Sequence, residues 1–69
     1  MDGTIKISLK ALRVNMGLSQ REAAEKIGIY IDTLRNYENG RTYPDQPTIE
    51  RMCEVYGVSY NNIKFLPEC

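Results

Sequence analysis

The stretch SQREAAEKIGIYIDTLRNYENG at residues 19–40 constrains the fold more than any other part of this chain. It consists of two short helical patterns joined at a single glycine, Gly28. Ala24 lies four residues before that glycine, and Leu34 and Tyr37 lie six and nine residues after it. Two helices that cross steeply at a tight turn need a small residue where their backbones approach. They also need a residue tolerant of positive φ at the corner and apolar anchors on the second helix. Ala24, Gly28 and the Leu34/Tyr37 pair supply these in order.

Further punctuation divides the rest of the chain into short helices. Ile5, Leu9, Leu12 and Met16 recur at helical spacing and predict a first helix over about residues 8–16, with Ser8 as N-cap and Gly17 as stop. Ser19 with Glu22 three residues on is the capping-box pattern of a second helix, whose buried stripe is Ala23, Ala24 and Ile27. The third helix runs from about Ile31 to Glu38, with Leu34 and Tyr37 inward and Asn39-Gly40 ending it. Residues 41–47, which hold two prolines, read as a loop. Ile49, Met52, Cys53 and Tyr56 fall at i, i+3, i+4 and i+7 and predict a fourth helix over about 48–56, stopped by Gly57. Ser59 then caps a short fifth helix from Tyr60 to about Phe65, and Pro67 closes the ordered part. No strand pattern, internal repeat or low-complexity segment is visible. The expected fold class is all-α, five short helices in a single domain over residues 1–69 with an ordered core at about 5–66.

Composition excludes several classes. A chain of 69 residues builds one modest core. No stretch approaches the ~20 apolar residues of a membrane span. The N-terminal MDGTIKIS lacks a basic region followed by an apolar run, so no secretion signal is expected and the expected location is cytoplasmic. Cys53 and Cys69 do not look like a disulfide framework. With no histidine in the chain, a zinc site is not expected, nor is any other metal or cofactor. Cys53 falls on the buried stripe as an inert core thiol, and Cys69 is terminal, exposed and without a function. Nine basic and nine acidic residues cancel. A nucleic-acid binder ordinarily carries a basic surplus, although the sign on the contacting face is what matters. Neutrality lowers the expected sequence-independent affinity.

The segments LKALRVNMGLSQ at 9–20, AAEKIGI at 23–29, TLRNYENG at 33–40 and TIERMCEVYGVS at 48–59 together resemble the Cro/C1-type (XRE-type) helix-turn-helix family of phage repressors and bacterial regulators. The resemblance covers about residues 5–65. It implies a compact, lambda-repressor-like DNA-binding fold with the helix-turn-helix at helices 2 and 3. Two positions depart from the family. Leucine is common at the place of Ala23, so the anchor on helix 2 is thinner here. A small polar residue is usual at the place of Tyr30, whose side chain cannot cap the third helix.

In this architecture the third helix enters the major groove and its outward residues meet base edges. With Leu34 and Tyr37 inward, the outward set is Ile31, Asp32, Thr33, Arg35 and Asn36. The resemblance makes Ile31, Asp32 and Arg35 the usual base readers. Arg35 suits guanine, Asn36 adenine or a phosphate, Ile31 a thymine methyl and Asp32 the cytosine amino group. Gln20 opens the second helix, where free N–H groups and the positive dipole end suit an anion, and the resemblance gives it a phosphate and a bracing role. Ser19 reads first as a cap and second as a phosphate contact. Asn39, Arg41 and Tyr43 follow the third helix and are placed to hold the DNA backbone. Arg13 on the first helix and Glu38 at the end of the third pair within the domain in relatives carrying both, so here they read as a structural ion pair.

Two functions compete. The first is a sequence-specific double-stranded DNA-binding transcriptional regulator, a repressor of phage or mobile-element type. It would act as a homodimer on an operator with two half-sites about one helical turn apart. Self-association would use Val55, Tyr60, Ile63, Phe65 and Leu66. The second is an antitoxin-like or antirepressor-like interaction module of the same fold without DNA binding, favoured by the neutral charge, Asp32 and Ile31. An enzyme is not expected: there is no histidine, no phosphate-cradling glycine loop, no pair of carboxylates in an evident pocket and little room for a small-molecule cleft.

Overall fold

The structure, a computed structural model, describes residues 5–65. In chain order the elements are β1 (Ile7–Ser8), α1 (Leu9–Asn15), α2 (Gln20–Ile27), α3 (Ile31–Glu38), α4 (Gln46–Tyr56), a 3-10 turn (Tyr60–Asn62) and β2 (Ile63–Lys64). Local chemistry sets the helix starts. Ser8 accepts from the Ala11 N–H at 3.2 Å. Ser19 accepts from the Glu22 N–H at 3.0 Å while Glu22 accepts from the Ser19 N–H at 2.9 Å, so two otherwise orphaned donors are satisfied. These bonds, the backbone one foremost, hold the Glu22 carboxyl below its ordinary pKa.

Helix α4 begins at Gln46, two residues before the expected start. Asp45 is its cap, accepting from the Thr48 N–H at 3.0 Å. Pro47 stands in the first turn, where a missing N–H costs no hydrogen bond. The proline therefore belongs to the helix and not to the loop. Hydrogen bonding from Thr48, its side chain ahead of its backbone, lowers the Asp45 pKa.

The core is built from Leu9, Leu12, Ala23, Ala24, Ile27, Leu34, Met52, Tyr56 and Ile63. Helix α2 packs against both α3 and α4, and Ala23 and Ala24 are the small residues that permit this. Ile27, Leu34 and Met52 are fully buried, each worth ~1.5–3 kcal/mol of transfer free energy. Among the described residues, no helix is long and apolar enough to cross a membrane.

Several expectations need correction. The fold is mostly helical with four α-helices; the expected fifth is a single 3-10 turn that opens into β2. A strand pairing does exist. β1 and β2 form a two-residue parallel ladder, Ile7 beside Ile63 and Ser8 beside Lys64. A pairing this short leaves no alternation to read, and its partners are 56 residues apart. Ile63 is consequently in the core at 3% exposure, not on a self-association surface. Helix α1 ends at Asn15, so Ile5 and Met16 lie beyond its ends and are exposed. The third inward position on α1 is filled by Arg13. Cys53 is half-buried, and burial pushes its thiol pKa up. Leu66, Pro67 and Cys69 lie outside the described residues.

Candidate nucleic-acid interface

Gly28 makes the corner between α2 and α3. It sits at φ +88°, its N–H bonded to the Ala24 carbonyl at 2.8 Å and the Ile29 N–H to the same oxygen at 3.0 Å. The left-handed conformation requires glycine here. A second contact secures the corner from outside the motif: Arg51 Nε on α4 donates to the Ile27 carbonyl at 2.8 Å. That bond satisfies one of the terminal carbonyls of α2 and fixes α2 to α4. Arg51 was not singled out by its position in sequence. Its only local sign is a charged residue between the buried Ile49 and Met52.

Helix α3 is anchored by Leu34, fully buried, and by Glu38. No side chain caps its start, because Tyr30 makes no such bond and is 84% exposed. Asp32, Arg35 and Asn39 are exposed along one stripe, while Thr33 and Asn36 are half-buried at its flanks. Ile31 differs from its expected outward position. It is half-buried and packs against the core, because residue 31 lies one helical turn behind Leu34 and its apolar side chain finds the same hydrophobic surface. The Arg41 N–H bonds the Asn36 carbonyl at 2.9 Å and Gly40 takes φ +77°, which closes α3 in a Schellman-type end.

Five side chains form one connected network from the interior to the exposed face of α3. Arg13 Nε donates to Glu38 Oε2 at 2.7 Å and Arg13 Nη2 to Glu38 Oε1 at 3.3 Å, both buried. Arg13 Nη1 also donates to the Leu18 carbonyl at 3.0 Å. Gln20 Nε2 donates to Glu38 Oε1 at 3.1 Å, and Gln20 Oε1 accepts from Arg35 Nε at 3.2 Å. Arg35 Nη1 completes the chain by donating to Asp32 Oδ1 at 3.1 Å. Gln20 thus bridges the start of α2 to the last turn of α3.

The remaining backbone candidates are scattered around this face. Ser19 is exposed and occupied in its capping box. Asn39 is exposed at the C-cap of α3, and Arg41 is exposed just beyond it. Tyr43 is exposed, but its hydroxyl lies 3.3 Å from that of Tyr60 and its ring 4.8 Å from that of Phe65. The bond to Tyr60 raises the Tyr43 pKa. Arg21, exposed on α2 next to Gln20, was passed over in the sequence and adds a cation there.

A helix-turn-helix family model matches residues 9–62. The chain belongs to the Cro/C1-type helix-turn-helix family. Its Cro/C1-type relatives include the HTH-type transcriptional regulator ImmR of Bacillus subtilis, 41% identical over 51 residues, which covers 74% of this chain and 40% of the relative. The cryptic phage CTXphi transcriptional repressor RstR of Vibrio cholerae is 38% identical over 50 residues, 72% of this chain and 45% of the relative. Antitoxin PezA of Streptococcus pneumoniae is 36% identical over 56 residues, 81% of this chain and 35% of the relative. The similarity therefore spans less than half the length of each of these relatives.

Proposed function

We propose that this chain is a sequence-specific DNA-binding transcriptional regulator, a repressor of phage or mobile-element type, that lays α3 in the major groove. The observation that carries this reading is the exposed stripe of α3, on which the Arg35 guanidinium is held outward by Gln20 and Asp32. Arg35 Nη2 has no hydrogen-bond partner among the described residues. Together with the remaining Nη1 hydrogen it forms the fork that matches guanine O6 and N7, worth ~1–3 kcal/mol of discrimination. Asn36 and Thr33 flank that contact. Ser19, Gln20, Asn39 and Arg41 surround it as phosphate partners, with Tyr43 at greater remove beside Tyr60. The names of ImmR and RstR support regulation as the output. A regulator that works on DNA would be a cytoplasmic, non-enzymatic protein.

One copy offers few base contacts, so tight binding calls for a homodimer on two half-sites. With Ile63 in the core and Leu66 outside the described residues, Val55, Tyr60 and Phe65 are left for self-association. A second reading, an interaction module without DNA binding, is supported by the likeness to antitoxin PezA and by the cancelled charge of the Asp32–Arg35 pair. Binding to randomised duplexes at several salt concentrations separates the two. A consensus whose affinity falls steeply with salt is the expected result. Folded protein that binds no duplex even at low salt leaves the second reading.

A further inference from the structure

Asp32 places a carboxylate, its side chain 83% exposed, on the one helix that the proposed reading sets between two rows of phosphates. Like charges at close range repel, so the residue works against general affinity unless it contributes something else. Its geometry supplies that contribution. Asp32 and Arg35 are three residues apart on one face, and Asp32 Oδ1 takes a hydrogen from Arg35 Nη1. On its other side the guanidinium gives its Nε hydrogen to Gln20. An arginine side chain is long and rich in rotamers. Two acceptors on two helices hold this one in a single orientation and still leave its end-on fork available.

The polarity of the Gln20 bridge is itself determined. An ionised carboxylate only accepts hydrogen bonds. Glu38, held by Arg13, therefore turns the Gln20 amide so that its NH2 faces inward, and the Gln20 oxygen is left facing Arg35. The orientation of an exposed guanidinium thus traces back to a buried ion pair.

We infer that Asp32 is a specificity-determining positioning residue for Arg35, acting from the side opposite the Gln20 brace, and that Asp32 is not itself a reader of cytosine. This rests on the DNA-binding reading above. The test is selection from randomised duplexes by the wild-type chain, Asp32→Ala, Gln20→Ala, Arg35→Ala and the Asp32→Ala/Arg35→Ala double variant. Thermal melts establish that each is folded. Arg35→Ala is expected to erase the guanine preference at one base-pair position, a loss of about 5- to 150-fold. Asp32→Ala and Gln20→Ala weaken that same position several-fold. Asp32→Ala does so without weakening non-specific binding, because a repulsive charge has gone. Adding Asp32→Ala to Arg35→Ala changes no further position. The inference is overturned if Asp32→Ala removes a preference that survives in Arg35→Ala, at that position or another, or if Asp32→Ala leaves the Arg35 position unaltered. A wild-type chain that selects no consensus overturns the DNA reading itself, and this is seen before any substitution is compared.

Discussion

The Tyr56 hydroxyl is buried and has no hydrogen-bond partner among the described residues. Burial foremost, and then the nearby Glu38 carboxylate, push its pKa up from 10.0 to about 12. A folded-state pKa above the unfolded one means stability that is complete below pH 10 and lost as the pH rises through 12. Tyr56→Phe removes both the orphaned hydroxyl and this titration. It is expected to leave stability at neutral pH unchanged or raised, and to flatten the loss between about pH 10 and 12 in alkaline melts. The Arg13–Glu38 pair behaves oppositely. Removing one partner strands a buried charge and is expected to cost ~3–5 kcal/mol, tempered for Arg13→Met by the bond that Gln20 still gives Glu38. Denaturation of Arg13→Met, Glu38→Leu and the double variant should show strong non-additivity. Additive losses would mean that the two side chains do not depend on each other.

At the scale of the elements, the helix starts depend on side-chain caps and the helix corner on one backbone conformation. A Cβ on Gly28 would meet only Arg51 Nε, at 4.0 Å, so space is not what excludes other residues there. The left-handed φ is. Gly28→Ala is expected to destabilise by ~1–2 kcal/mol, measured by urea unfolding, with the relation of α2 to α3 disturbed more than the core. The caps respond to acid. Glu22 and Asp45 both have lowered folded-state pKa values, so their contribution is present above the unfolded values of 4.5 and 3.8 and lost as the pH falls through the folded ones. Asp45→Asn keeps a good N-cap and removes one titrating group. Its acid unfolding curve is expected to be shallower than that of the wild type.

At the scale of the whole molecule, the described residues extend 36 × 24 × 20 Å. The longest dimension is comparable with the ~34 Å of one turn of duplex, and the proposed reading sets one copy on each of two half-sites. Inserting about 5 base pairs between half-sites puts them on opposite faces of the duplex and is expected to abolish tight binding in a mobility-shift titration. Unchanged affinity would mean that the copies bind independently. Net charge argues for the same dependence. With nine basic and nine acidic residues, the chain has little sequence-independent attraction to fall back on.

The helix boundaries at Ser8, Ser19, Gly28 and Gly57 were legible because each depends on residues within four positions of one another. A cap, a capping box or a left-handed glycine is chemistry between near neighbours, and a contiguous string contains all of it. The family motifs were legible for the same reason. What the string did not contain was which distant groups would meet. Ile63 follows a cap and a polar turn and could have continued as helix, yet β1, more than fifty residues earlier, draws it into a parallel pairing and into the core. Arg51 became a brace only when α4 brought it to the end of α2. Ile31 was set facing outward by periodicity and turned inward by the hydrophobic surface beside it. Asp32 and Arg35 were already neighbours on one helix, but Arg35 acquired its second acceptor only when packing brought Gln20 of α2 beside it. Local hydrogen bonds and φ preferences are properties of the chain, whereas burial and long-range pairing are properties of the packed molecule, and the interface belongs to the second kind.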